Sequence, residues 1–295
     1  MSLWDDIGAA VERTTGLPLA ARLPRSISGG SINRAMSVGE GDRRYFVKLN
    51  EAPGSLAMFE AETAGLRLLA QPGVLRVPRP ICLGMSGAVA YLVLEHITFG
   101  RGGAAGDERL GTGLAAIHQV TGPHFGWDRD NTIGSTPQVN QPTDDWVTFY
   151  RDHRLSFQLE LAERNGYSGS LTETGARLLE RLPALCAGHH PVASLLHGDL
   201  WGGNAAFDRD GAPVIYDPAV YFGDRETDLA MTELFGGFGV RFYRAYQAAW
   251  PLDEGYELRR DLYQLYHVLN HLNLFGAGYA RNAQRLIDRL LVAVC

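Results

Sequence analysis

The hydrophobic pattern of the chain changes period once, near residue 97, and that change restricts the fold more than any other feature. Before it, short runs read as strands: "RSISGGSINRAMSVGE" as strand, glycine turn, strand, then "RRYFVKLN", "RVPRPICLG" and "AVAYLVLEHI". One helix is inserted among them, "SLAMFEAETAGLRLLA", in which Met58, Phe59, Leu66 and Leu69 share an apolar face. Beyond residue 97, long helical patterns dominate: "ERLGTGLAAIHQV", "TDDWVTFYRDHRLSFQLELAERNG", "TETGARLLERLPALCA" and nearly all of 257–294. Only "SLLHGDL", "AAFDRDG" and "APVIYDP" break that run, and together they suggest a small hairpin. A sheet-rich part followed by a helical part predicts an α+β chain in two segregated lobes. The expected division is an N-lobe over 1–97 and a C-lobe over 98–295, with the binding site in the cleft between them.

Composition narrows the function classes. The net charge is −6 and no run of Lys or Arg forms a patch, so nucleic acid is not an expected partner. No apolar run reaches the roughly 18 residues that span a bilayer, so a membrane is not expected either. "MSLWDDIGAAVERTTG" reads as an amphipathic helix with acids in its first turn, not as a signal peptide. Cys82, Cys186 and Cys295 are widely spaced and odd in number. That argues against a disulfide framework and for a reducing cytoplasm, with Cys82 and Cys186 as buried apolar filling.

The densest chemistry lies in "LLHGDLWGGN". His197-Gly-Asp199, then four residues and Asn204, fits the kinase catalytic-loop pattern H-x-D-x-x-x-x-N. There the aspartate accepts the proton of the attacking hydroxyl and the asparagine holds magnesium; the plainer alternative is a capped turn. In "VIYDPA" a β-rich run ends on Asp217, where a second metal-ligating carboxylate belongs; alone, it reads equally as a turn residue before proline. The tripeptide is Asp217-Pro218-Ala219 rather than D-F-G, which argues against a protein kinase.

The first hundred residues supply the remaining kinase parts in order. Lys48 ends "YFVKLN", as the phosphate-pairing lysine ends its strand. Glu62 on the following helix suits its ion pair better than Glu60, which projects elsewhere. "SGGSIN", with Gly29, Gly30, Ser31 and Asn33, is a weak signal by itself but can cover phosphates with backbone N–H groups. "LVLEHIT" would connect the lobes, so adenine is expected at Glu95, His96, Ile97 and Thr98. Asp228 opens an apolar helical run; it is expected to hold the loop around His197 rigid, with an ordinary helix cap as the alternative. Asp224, Arg225 and Glu226 either bind polar substrate or form a structural ion-pair cluster.

With these residues in place, the chain resembles the fructosamine-3-kinase / ketosamine-3-kinase family, which has the bilobal protein-kinase-like fold of aminoglycoside phosphotransferases and choline kinases. The resemblance covers nearly the whole chain. It rests on "GGSINRA", "YFVKLN", "MFEAE", "FGWDRDNTIGSTPQVN", "LLHGDLWGGN", "YDPAVYFGDRETDLAM" and "LYQLYHVLNHLNLFG". It implies ATP-dependent, magnesium-assisted phosphorylation of the 3-hydroxyl of a ketosamine, free or protein-bound. The product is unstable and releases the amine, a deglycation. Asp199 matches the base, Asn204 and Asp217 the metal ligands, Lys48 and Glu62 the ATP-positioning pair. Trp201 matches a tryptophan beside the base that covers an apolar face of sugar or linker, with loop packing as its alternative. Some relatives carry a cysteine in the glycine-rich turn and form a disulfide-linked dimer there; this chain has Ser31, so thiol control is not expected. Oligomeric state is left open. The competing readings are a kinase for an aminoglycoside or amino alcohol, and a catalytically silent ATP-binding protein.

Overall fold

The computed structural model describes residues 2–19, 24–27 and 32–294. Helix α1 (Leu3–Thr15) starts at a capping box: the Ser2 hydroxyl accepts from the Asp5 N–H, and the Asp5 carboxylate accepts from the Ser2 N–H. It packs Ile7, Ala10 and Val11 against the back of a sheet, beside Val47, Ile81 and Val93. The sheet holds β1 (Arg25–Ile27), β2 (Arg34–Val38), β3 (Tyr45–Asn50), β4 (Pro80–Ser86) and β5 (Val89–Glu95). Among the described residues it is five-stranded and antiparallel throughout, in the order β1-β2-β3-β5-β4. Helix α2 (Ser55–Ala70) is inserted between β3 and β4 and buries Phe59, Leu66 and Leu69, while Met58 is only half-buried.

After Glu95 the architecture becomes helical. Helix α3 (Ala104–His118) is followed by a short hairpin, β6 (Asn131–Ile133) and β7 (Thr136–Gln138). The expected long helix over 146–164 is present but not uniform. Between α4 (Trp146–Tyr150) and α5 (Phe157–Arg164), residues 151–156 form a π-helical turn. Such a turn inserts a residue into the helical register and commonly marks a functional place; here it drives Arg154 into the interior. Then come α6 (Ser170–Leu185), β8 (Ser194–Leu196), β9 (Ala205–Phe207), β10 (Pro213–Ile215) and β11 (Tyr221–Gly223). The chain ends with α7 (Glu226–Leu234), α8 (Val240–Ala249), α9 (Tyr256–Phe275) and α10 (Ala280–Ala293).

The small hairpin is β9 with β10, so only two of the three expected segments pair with each other. "SLL" at β8 pairs instead with Tyr221–Gly223, a strand that local pattern did not reveal. One apolar cluster runs through the whole site region. It joins Phe59, Leu66 and Leu69 of α2 and Leu92 of β5 to Leu114 of α3 and to Leu195, Leu200, Ile215 and Val220 around the catalytic loop. Cys186 is buried and Cys82 half-buried, both with thiols pushed up by burial, to about 12 and about 11. No helix among the described residues is long and apolar enough to cross a membrane.

Candidate active site

Strand β8 delivers the chain into the catalytic loop, and Gly198 makes the turn possible. Its φ is +82°, and a Cβ there would lie 2.0 Å from the Ala219 carbonyl oxygen. Asp228, in the first turn of α7, holds the turn from beneath. Its two oxygens accept the N–H groups of His197 (2.7 Å) and Gly198 (2.8 Å), and one also receives His118 Nε2 (3.1 Å). Burial alone would raise the pKa of this carboxyl, but the hydrogen bond and charge of His118 outweigh it and hold it low. His197 is fully buried: Nε2–H donates to the Tyr216 carbonyl (3.0 Å) and Nδ1 accepts the Asp199 N–H (3.3 Å). These partners define one neutral tautomer, and burial lowers the imidazole pKa accordingly. His197 therefore ties the backbone of Asp199 to the residue before Asp217.

Asn204 draws the two acids together. Its Nδ2 donates to the Asp199 carbonyl (2.8 Å), to Asp199 Oδ2 (3.2 Å) and to the Asp217 carbonyl (3.4 Å). Its Oδ1 has no protein hydrogen bond among the described residues and remains as a hard oxygen donor. Asp217 has φ +57°, the one positive φ at a non-glycine among the described residues. That strained conformation is held from both sides, by Asn204 on its carbonyl and Lys48 on its carboxylate. An amide oxygen and a half-exposed carboxylate are ligands that magnesium accepts, so the residues fit that ion. Burial, then the nearby Asp217 charge, pushes Asp199 up to about 7.

Lys48 on β3 reaches both lobes. Nζ lies 2.6 Å from Glu62 Oε1 and 2.7 Å from Asp217 Oδ1. Burial would depress the ammonium pKa, but the two carboxylates more than offset it and raise it. Glu60 is exposed, away from this pair. Asn33 accepts a hydrogen bond from Asn50 at the end of β3 (2.8 Å), while Gly29, Gly30 and Ser31 lie outside the described residues. In the connector, Glu95 N–H donates to the Arg79 carbonyl (2.9 Å) and His96 N–H to the Arg44 carbonyl (3.3 Å). Ile97 and Thr98 N–H groups make no hydrogen bond among the described residues, and Phe99 stacks on Tyr216 beside them, centroids 5.4 Å apart.

Asp224 and Arg225, expected at the substrate, are instead inside the C-lobe. Asp224 is 1% exposed and saturated: it accepts from Tyr263 (2.5 Å), His189 (2.6 Å) and the Glu226 N–H (3.0 Å). Arg225 donates to the Trp250 and Pro251 carbonyls (3.0 and 2.5 Å) and lies 4.1 Å from the Trp250 ring centroid. Glu226 makes a two-pronged ion pair with Arg259 (2.6 and 2.8 Å). The ion-pair alternative thus describes Asp224 and Glu226, while Arg225 is structural through carbonyl and ring contacts without an ion pair. Groups so fully bonded and buried cannot turn to a substrate without leaving partners unpaired. Trp201 is 40% exposed and meets Phe235 edge-on.

Four braces were not visible as such in the sequence, although three lie in the quoted "FGWDRDNTIGSTPQVN". Asn131 donates to the Val220 carbonyl (2.8 Å) and Gln138 to the Ala219 carbonyl (3.0 Å), gripping the backbone just after Asp217. Asn140 donates to Asn131 (2.9 Å) and accepts from Arg154 (2.7 Å). Arg154 also donates to the Val139 carbonyl (2.6 Å) and packs 4.1 Å from the Tyr221 ring centroid. The clue was an excess of amide side chains in a short hairpin, a pattern without a unique reading.

This arrangement can orient a hydroxyl at Asp199, hold a cation at Asn204 and Asp217, and place an ammonium beside transferring phosphates. The sequence pattern of the fructosamine kinase family matches residues 3–293. A probable ketoamine kinase of Synechocystis is 47% identical, over 98% of this chain and 97% of its own. A chloroplastic protein-ribulosamine 3-kinase of Arabidopsis thaliana is 42% identical, over 90% of this chain and 82% of its own. The crystal structure of a candidate fructosamine-3-kinase from Haemophilus somnus superposes with a TM-score of 0.90 at 28% identity, covering 98% of this chain and 97% of that one.

Proposed function

The chain belongs to the fructosamine kinase family, and on that basis we propose that it transfers the γ-phosphoryl group of ATP to the 3-hydroxyl of ketosamines, a deglycation repair. It is a phosphotransferase acting on a hydroxyl group. The observation that carries the reading is the convergence of Lys48, Asp199, Asn204 and Asp217 in one bonded network.

The residues divide the task as follows. The connector offers the Ile97 N–H to adenine, and Asn33, bonded to Asn50 at the end of β3, closes the glycine-rich segment to which the phosphates are assigned. Lys48, held by Glu62, neutralises phosphate oxygens. Asn204 and Asp217 would hold magnesium, which when bound would neutralise charge on the transferring phosphate. Asp199 orients the sugar hydroxyl and accepts its proton; burial sets its affinity for that proton near neutrality, where a base works best. Phosphorylation at carbon 3 gives the unstable product that releases the amine.

The test is magnesium-dependent ATP consumption with fructosamines and ribulosamines, against aminoglycosides and choline. Turnover with ketosamines that falls by a few orders of magnitude in Asp199→Asn, on the general-base scale, is the expected result. Turnover only with a control acceptor would overturn the substrate class. Bound ATP without turnover of any acceptor would favour the silent-kinase alternative.

A further inference from the structure

From Trp201, two residues along the catalytic loop from Asp199, the protein carries a wall of rings that phosphoryl transfer does not use. The Trp201 indole is folded back on its own loop. A Cβ at Gly203 would lie 2.3 Å from its Cζ2 and Cη2, so only glycine lets the ring rest there. The indole meets Phe235, just beyond α7, edge-on, with centroids 6.1 Å apart and planes at 75°. Phe235 packs on His271 of α9 (4.7 Å), which packs in turn on Phe275 (5.3 Å) and Tyr279 (5.2 Å). Trp201, Phe235 and Phe275 remain 40%, 39% and 49% exposed. Large rings that contact one another yet stay this open form a patch with a binding character.

The wall has one polar atom to offer. His271 Nδ1–H donates to the His267 carbonyl one turn earlier (2.8 Å), which leaves Nε2 as a lone pair. That Nε2 makes no hydrogen bond among the described residues. Burial lowers the His271 pKa, so the imidazole stays neutral and the lone pair stays available at neutral pH. Aromatic faces beside a neutral acceptor suit a cationic N–H donor carrying an apolar group.

In a ketosamine the amine is on carbon 1 and the accepting hydroxyl on carbon 3. With the hydroxyl at Asp199, the nitrogen must lie close by, and Trp201 is only two residues along the chain. We propose that Phe235, His271 and Phe275, continuing from Trp201, bind the amine half of the substrate: its protonated nitrogen and the apolar part of its substituent. This rests on the ketosamine reading above. The wall then decides which amines are accepted, while the catalytic loop acts on the sugar.

The experiment compares fructose adducts of benzylamine, Nα-acetyl-lysine and glycine on the full chain. Phe275→Ala, at the exposed end of α9, is expected to raise KM for the benzylamine adduct about tenfold relative to the glycine adduct, the scale of one aromatic contact, with kcat little changed. His271→Phe keeps a ring and removes the acceptor, and is expected to raise KM for all three adducts alike. A thermal melt confirms that each variant is folded, and Phe235→Ala repeats the test from another element. Unchanged KM ratios in both folded phenylalanine variants overturn the proposal. Wild-type protein that turns over none of the three adducts overturns the ketosamine reading instead, and the proposal with it.

Discussion

Glu62 and Asp217, carboxylates on opposite sides of the cleft, share the ammonium of Lys48 at 2.6 and 2.7 Å. The two acids are not equivalent. Glu62 is enclosed by α2 and the sheet, whereas Asp217 is about half exposed and can exchange its lysine for a cation and phosphate. Lys48→Met should therefore do two separable things. It leaves Glu62 buried without a counter-charge, costing on the order of 3 kcal/mol of stability, and it weakens ATP binding. Chemical denaturation and nucleotide titration measure the two. A further Glu62→Gln change in that background should restore part of the stability and none of the ATP affinity.

Asp228→Asn should disturb the loop more than the helix. The substituted amide has one acceptor oxygen, so one of the His197 and Gly198 N–H groups and the His118 contact are left short. We expect a loss of about 2 kcal/mol. A shift of the loop by about 1 Å would also reduce kcat roughly a hundredfold. Equal kcat in the folded variant would show that these bonds support folding without positioning the loop for catalysis, whereas α7 itself has no side-chain cap for the change to remove.

Arg154→Lys tests the brace behind Asp217. Lysine keeps the charge but loses the planar fork that serves Val139 and Asn140 at once, and the stacking on Tyr221. The expected cost is about 2 kcal/mol, with a rise in the magnesium requirement as Asp217 loses its support. A magnesium titration of initial rates reads the second effect.

The His189–Asp224 pair makes stability depend on pH. Burial would lower the His189 pKa, but the hydrogen bond and charge of Asp224 raise it above the unfolded value near 6.5. Its contribution is complete below that unfolded value and is lost as pH rises through the folded one. Asp224 has the opposite sign. Burial would raise it, His189 and Tyr263 hold it low, and its contribution is lost only as pH falls through that depressed value. Tm should therefore fall between pH 6 and pH 9, and His189→Gln should flatten that fall. Parallel Tm curves for the two proteins would remove His189 from the account.

The sequence made some of this site readable because phosphoryl-transfer residues occur at short, chain-local spacings. Asp199 and Asn204 sit on one loop, and the order of Lys48, Glu62 and Asp217 around them carries meaning. The lobes were readable because strand and helix periods differ. What could not be read depends on partners far apart in the chain. His118 reaches Asp228 across 110 positions, and Asn131 reaches Val220 across 89. The pairing of Leu195 with Phe222 leaves no turn signal between them. Asp224 and Arg225 look exposed because they are charged; only the arrival of His189, Tyr263 and the Trp250 ring makes their burial tolerable.

Helix α2 is joined through Phe59, Leu66 and Leu69 to the same apolar cluster that underlies the catalytic loop. Swinging it outward would expose those side chains to water, so Glu62 stays in place whether or not substrate is present. Displacing this helix would cost the burial of all three side chains at once. The Glu62–Lys48 pair is then a fixed part of the site, unlike an ion pair that a mobile helix makes and breaks.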